Sequence, residues 1–414
     1  MPKNKSQKAA KNLAAEKILE TLLERAVFEG APIVHFEPQD RELVVRYRQS
    51  GALKKITSLS RDSAAALVAR IKILSGQNPK EKHRPVEGNF TIKISGEKIH
   101  CRASLLPVLH GEKIVVHLLA EKTRLLPPNQ LGFREDVFKI VEKNLQKPHG
   151  LILVAGAKNS PQNSILHSFL NFRREAKVKV AAIEDSPEIV LPGLNQTFLI
   201  RKIGYSFRAA FSAIQKNASA ILVGNLKNKE IMEEASVAAI SGRQILAGLH
   251  AENCAVVLER LQKSGLEPFL AASTNLIIAV RKIKKICPHC AGKTKLSAKK
   301  EKDLEKHLNI KELKKILASQ KILKSASAPL SSLSFRRAKG CKKCAGDGYL
   351  GQTDIFEVLE IDAELAQMIL EKAPVAKIIQ KAKIKNFLSF AEEAFLKSAE
   401  KITDLEEVMK IIGK

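Results

Sequence analysis

Leu151-Ile-Leu-Val-Ala-Gly-Ala-Lys-Asn-Ser-Pro-Gln-Asn-Ser164 is the stretch on which the reading of the chain turns. Leu151 to Ala155 is an unbroken apolar run that reads as a buried strand, and Ile165-Leu-His-Ser-Phe-Leu170 beyond the loop reads as a helix. Strand, loop and helix in that order are the layout of a phosphate-binding loop. Such a loop asks for Gly, four residues, Gly-Lys, then Ser or Thr. The glycines let backbone N–H groups curl around phosphate, Lys reaches the β and γ oxygens, and the hydroxyl ligates Mg²⁺. Counted from Gly156, the second Gly position holds Pro161, the Lys position Gln162 and the hydroxyl position Asn163. All three requirements fail, and taken alone the loop is an ordinary strand-to-helix turn.

What lies downstream changes that reading. Ile183-Glu-Asp-Ser-Pro-Glu-Ile-Val-Leu-Pro-Gly-Leu-Asn-Gln196 is followed by Ala220-Ile-Leu-Val-Gly-Asn-Leu-Lys227, Ser241-Gly-Arg-Gln-Ile-Leu-Ala-Gly-Leu-His250 and Gly265-Leu-Glu-Pro-Phe-Leu-Ala-Ala-Ser273. Cys287-Pro-His-Cys290 and Gly340-Cys-Lys-Lys-Cys344 come after them. In this order and spacing the series resembles the secretion and pilus-assembly ATPases, the hexameric motors of type II secretion and type IV pili. The resemblance implies an α/β fold: a RecA-like P-loop NTPase domain with an N-terminal α+β domain, a zinc-binding tetracysteine module and a C-terminal helical region. On that basis residues 1–14 are a disordered tail, 15–121 the α+β domain, 122–128 a linker and 129–286 the NTPase domain. The zinc module with an inserted Lys-rich helix takes 287–359, and the helical region 360–414.

Composition sets outer limits. A chain of 414 residues, 45% hydrophobic, holds two or three domains with real cores. It has no apolar run of about 18 residues, and Met1-Pro-Lys-Asn-Lys-Ser6 lacks the apolar region of a secretory signal, so the expected location is the cytoplasm. A net charge of +27 implies attraction to something acidic: anionic lipid, nucleic acid or an acidic protein. Lys far outnumbers Arg, aromatics are 5% and Trp is absent, so the charge reads as a solvated surface rather than a nucleic-acid groove with stacking platforms.

In the first third, apolar spacing from Ala15 to Ala26 predicts a helix, Ile33-Val-His-Phe-Glu-Pro38 a strand, and Leu43 onward a hairpin turning at Gln49-Ser-Gly51. Asp62 to Leu74 reads as a second helix with Asp62 as its cap, and alternation from Asn89 to Ser104 predicts two more strands. The resembled family uses arginines of this region to reach over the nucleotide; the matching positions are Arg46, Arg48 and Arg102. Arg46 and Arg48 lie two apart on one strand and share a face, as two donors aimed at one anion must. Where the family has a further Arg, this chain has Asn89 in Glu87-Gly-Asn89.

Beyond Leu151, apolar strands alternate with helical stretches, which predicts a largely parallel sheet with any ligand at the C-terminal ends of its strands. The resemblance casts Glu184 and Asp185 as the acidic pair that positions Mg²⁺ and water, with Glu188 also retained. It casts His250 as the surviving one of two γ-phosphate-sensing histidines, Arg243 standing at the other. The general base should follow strand Ile221-Leu-Val223, but Asn225 stands there and accepts no proton. Gly156, Ser160, Gln162, Asn163 and Ser164 line the expected nucleotide loop. Lys158 places a cation near phosphate from an unusual position, while Pro161 removes an N–H donor. Losing the Lys, the hydroxyl and the catalytic Glu removes several contributions of order ~3 kcal/mol each. ATP and Mg²⁺ are thus weakly supported as ligands.

Cys287, Cys290, Cys341 and Cys344 form two Cys-x-x-Cys pairs with fifty residues between them. Two such pairs can clasp a tetrahedral Zn²⁺, with His289 as the rival ligand, while Cys101 and Cys254 read as small core residues. Lys299 to Lys324 is a helical insertion between the pairs and Ser325 to Ser334 a loop. The leading expectation is a catalytically impaired motor homologue at the inner face of the cytoplasmic membrane. It would join a homo- or hetero-hexamer with an active homologue and meet an inner-membrane platform protein, touching the membrane only peripherally. An active ATPase with a non-standard loop stays open. So does a basic zinc-containing scaffold for nucleic acid or acidic membrane.

Overall fold

Period-two alternation in the first third and apolar runs in the middle demand different sheets, and the chain forms both. The structure, a computed structural model, describes residues 3–49, 52–94, 96–120, 125–157, 160–184, 189, 191, 193–198 and 206–413. The chain divides into two compact units: Met1–Arg124 with Glu188–Leu191, and Leu125–Pro187 with Pro192–Lys414.

The first unit contains α1 (Lys3–Phe28), β1 (Ile33–Pro38), β2 (Glu42–Gln49), β3 (Ala52–Ser60), α2 (Arg61–Leu74), β4 (Val86–Ile94), β5 (Glu97–Val108) and β6 (Gly111–Ala120). Its strands form one antiparallel sheet in the order β3-β2-β1-β6-β5-β4. Leu19, Leu23 and Ala26 of α1 and Leu67 and Ile71 of α2 pack with Val34, Phe36, Val45 and Tyr47, and the Tyr47 hydroxyl donates to the Leu22 carbonyl. Alternate residues therefore point to the other face, among them His35, Glu37, Arg46 and Arg48. Two expectations are corrected. Helix α1 begins at Lys3, where a disordered tail was expected, because Lys, Gln and Ala from Lys5 to Ala10 are strong helix formers. The cap of α2 is Ser60, whose hydroxyl accepts from the Ser63 amide, and Asp62 sits in the first turn. The Ser50-Gly51 part of the hairpin turn lies outside the described residues.

The second unit opens with a 3₁₀ turn at Pro128–Gln130 and continues through α3 (Glu135–Gln146), β7 (Gly150–Gly156), α4 (Gln162–Glu175), β8 (Val180–Glu184), β9 (Asn195–Phe198), α5 (Phe207–Gln215), β10 (Ala220–Val223), α6 (Lys229–Ile240), β11 (Gln244–Leu249), α7 (Cys254–Lys263), α8 (Glu267–Ser273) and β12 (Thr274–Ile286). There follow β13 (Gly292–Lys295), α9 (Ala298–Glu305), α10 (Ile310–Ser319), β14 (Ser334–Arg337), β15 (Tyr349–Glu360), α11 (Ala363–Leu370), α12 (Val375–Ile384), α13 (Phe390–Ala399) and α14 (Leu405–Ile412). The main sheet has the order β15-β12-β7-β11-β10-β8-β9, parallel throughout except that β15 runs against β12. Its inner strands are covered on both faces: Ile152, Val154, Leu222 and Leu246 meet α3 and α4, while Leu151, Leu153, Ile221 and Ile245 meet the opposite layer. That double burial is why Leu151 to Ala155 has no polar residue.

Three features differ from the sequence reading. β15, left with the cysteine module by its position in the chain, is an edge strand of the main sheet. The expected single inserted helix is two, α9 and α10, broken from Lys306 to Asn309, where the Asn309 side chain caps α10 through the Glu312 amide. Helix α4 starts at Gln162 rather than Ile165.

Candidate nucleotide loop and tetracysteine centre

The loop from Gly156 to Pro161 joins the C-terminal end of central strand β7 to α4, the place that a phosphate-binding loop occupies. Gly156 is required by close approach: a Cβ there would fall 2.1 Å from the Ser160 hydroxyl. Ser160 closes the turn by donating its amide to the Ala157 carbonyl at 3.0 Å. Lys158 lies outside the described residues.

Gln162, at the Lys position, does not extend from the helix toward the loop mouth. Its side chain is 4% exposed and donates from Nε2 to the Val154 carbonyl at 2.9 Å. A Cβ on Gly248, the partner of Val154 in β11, would stand 2.5 Å from that nitrogen. The amide is thus wedged into the top of the sheet, held by the Val154 carbonyl and fitted against Gly248. Asn163 and Ser164 are half-buried in the first turn of α4, and the Asn163 carbonyl accepts from His167 Nδ1 at 2.8 Å.

His167 is the residue the sequence reading missed. It is fully buried, and its Nε2 lies 3.3 Å from Oε2 of Glu184 at the end of β8, itself 5% exposed. The carboxylate expected to position metal and water therefore faces an imidazole on α4. Only the placement of a His within an apolar helix face, opposite a strand ending in Glu, signalled it. Asp185 and Glu188 lie outside the described residues. Asn225 follows β10 half-buried, and Gly224 before it stands so close to Glu184 that a Cβ would meet its Cγ at 3.1 Å. His250 is exposed at the end of β11, its carbonyl accepting from the Arg260 guanidinium.

In the first unit the three candidate arginines are engaged. Arg46 donates to Glu37 at 3.0 Å, and Lys113 reaches the other oxygen of the same carboxylate at 3.0 Å. Burial works against ionisation of Glu37, but these two cations outweigh it and hold its carboxyl below the usual range. Arg102 pairs with Glu87 at 2.7 Å, directly across from Asn89, and lowers the Glu87 carboxyl in turn. Arg48 is half-buried on the same face as Arg46.

The four cysteines converge. Cys287 ends the run of β12, Cys290 follows one turn later, and Cys341 and Cys344 bracket a 3₁₀ turn at Lys342–Cys344. Their sulfurs all lie within 4.8 Å of one another, with separations of 4.0 Å for Cys287 to Cys341, 3.8 Å for Cys290 to Cys344 and 3.7 Å for Cys341 to Cys344. Four thiolates at the zinc–sulfur distance of about 2.3 Å define a tetrahedron with edges of about 3.8 Å, whereas a disulfide needs about 2.05 Å, so the set fits a metal ion. The Cys341 and Gly348 amides donate to Cys344 Sγ at 3.1 and 3.2 Å. Burial resists its ionisation, but these donors prevail and bring the thiol down to about 6, as a ligand thiolate requires. Ala345, Gly346 and Gly348 all have positive φ, the tight knuckle that aims those amides. His289 is exposed, and the ligand set is complete without it. Cys101 and Cys254 are buried core residues.

A parallel-sheet domain with a loop between its central strand and the following helix, an antiparallel α+β unit and a four-thiol centre make up the architecture that the series of motifs implied. The Type II/IV secretion system protein family matches residues 8–410, and the chain belongs to it. It is 28% identical over 398 residues to the type IV pilus assembly ATPase PilB of Thermus thermophilus, covering 96% of this chain and 43% of that one. With the type II secretion system protein E of Pseudomonas aeruginosa the identity is 28% over 397 residues, 95% of this chain and 75% of the relative. The chain thus spans less than half of the first of these relatives. Among solved structures, the Legionella pneumophila ATPase DotB shares the fold with a TM-score of 0.67 at 15% identity, covering 96% of this chain and 95% of that one. No described helix is long and apolar enough to cross a membrane.

Proposed function

We propose that this chain is a subunit or regulator of a cytoplasmic type IV pilus assembly or type II secretion motor, one that does not turn over ATP at its own loop. The observation that carries the reading is Gln162: the residue at the Lys position is neutral and bonded back to the Val154 carbonyl. Asn225 at the base position and the Glu184–His167 pairing support it independently, since each withdraws a group that phosphoryl transfer uses. The scaffold keeps Arg46, Arg48 and Arg102, so a neighbour in a hexameric ring would receive cations from a subunit that has no chemistry of its own. Arg46 and Arg102 would exchange Glu37 and Glu87 for phosphate. The four thiols hold structural zinc, and the assembly works at the inner membrane face on a platform protein. Isolated protein given Mg²⁺ and ATP is expected to release no phosphate above background. Mixed with an active relative, it should raise that relative's rate, and a chain carrying Arg46→Gln and Arg102→Gln should not. Sustained Mg²⁺-dependent turnover by the chain alone overturns the reading.

A further inference from the structure

The structure assigns a role to His35: we propose that it is a phosphate-contacting residue on the cationic face of the first unit's sheet, beside Arg46, Arg48 and Lys113. His35 sits in the middle of β1, directly across from Arg46 in β2 and Val115 in β6. Its neighbours Val34 and Phe36 enter the core beneath α1 and α2, so the imidazole points to the opposite face. There it is 8% exposed, yet among the described residues neither ring nitrogen has a hydrogen-bond partner. Buried imidazoles are normally satisfied, because a stranded polar atom costs the folded state what water would have given it.

The charges around it say what is missing. Lys113, Glu37, Arg48 and His117 act on the ring from β1, β2 and β6, and Arg46 stands opposite it. Glu37 already divides its carboxylate between Arg46 and Lys113, so these two cations share a single anion and leave an excess of positive charge beside the ring. Burial first, then Lys113, push the imidazole below its usual range, which keeps it neutral at pH 7 with no anion present. A phosphate-bearing anion drawn to the patch would offer oxygen acceptors to a ring N–H, offset the excess charge and favour the protonated ring. An apolar or cationic ligand would do none of these. The role extends the proposed lending of arginines without depending on it, because it concerns ligand capture by this chain alone.

The test is a titration of full-length protein with ring-¹⁵N histidine, in which the His35 signals are identified by their loss in His35→Gln, or in His35→Asn if that variant alone folds. ATP and pyrophosphate are added separately, then vesicles containing phosphatidylglycerol. Either soluble anion is expected to raise the His35 midpoint by about one pH unit, and the variant to bind it about tenfold more weakly, the worth of a hydrogen bond to a charged partner. A shift produced by the vesicles and not by ATP assigns the phosphate to a lipid headgroup and keeps the residue's role. Signals that none of the three moves, or anion binding that the variant leaves within twofold of wild type, overturn the assignment.

Discussion

Glu393 on α13 is a carboxyl with almost no water around it, paired with Arg134, whose other donors hold Asp136 at 3.1 and 2.9 Å. Burial pushes Glu393 up to about 7 against the pull of Arg134 and Lys397. The folded chain therefore keeps this proton to higher pH than the unfolded chain, whose carboxyl titrates near 4.5. The resulting stability is complete below about pH 4.5 and is lost as pH rises through about 7, by up to about 3 kcal/mol. Glu357, also raised by burial, tilts the same way, so the comparison with Glu393→Gln is what isolates the effect. Melting temperature measured across that window should fall more steeply for wild type than for the variant; parallel curves refute it. Single residues of this kind were the least visible in the sequence. Gln162 was identified as a lost lysine, but its bond to Val154 depends on how α4 seats on β7 and β11, a relation no local pattern records. His167 and Glu184 lie seventeen positions apart and meet only through the sheet.

At the scale of elements, local chemistry was informative wherever period and capping agreed. Strands β7, β10 and β11 and the cysteine pairs lie where apolar runs and Cys spacing put them. The failures have local causes too: Ser60 outcompeted Asp62 as a cap, and Asn309 split one Lys-rich helix into two. The pairing of β15 with β12 is long-range and had no signature in the sequence. Around the thiols, β13 and β14 pair antiparallel from Gly292↔Arg337 to Lys295↔Ser334, while the Ala338 amide and the Tyr349 hydroxyl both donate to Asp404 at the start of α14. Removing the ion would leave four thiols to hold a knuckle whose amides are aimed at one of them. Chelation is expected to release one equivalent of zinc per chain. Hydrogen exchange in β13 and β14 should then speed at least about tenfold, with β7 unaffected. Equal protection of β13 and β14 with and without chelator would refute a structural metal.

On the scale of the molecule, the hydrophobic clusters follow the division into two units. Among the described residues, the cluster holding Leu19, Phe36, Tyr47 and Ile71 takes nothing beyond Leu118, and the two clusters flanking the main sheet take nothing before Leu131. A chain of residues 125–414, expressed without the first unit, is therefore expected to melt in one cooperative transition and retain its metal. A fragment with no cooperative melt would show that the second unit lacks a self-sufficient core. Family membership was apparent in the order of motifs along the chain, because a series of short segments at fixed spacing constrains the whole more tightly than any one of them.

The pairing of β13 with β14 has a further consequence. The polypeptide leaves the thiol knuckle and returns to it at neighbouring points, so everything between Lys295 and Ser334 is an excursion whose two ends are already closed. Doubling the length of such an excursion costs only about 0.6 kcal/mol in chain entropy. Around Ser325 to Ser327, the exposed stretch of this excursion, added sequence is expected to leave the β13–β14 pairing intact, which makes this the natural port for grafting a reporter onto the chain.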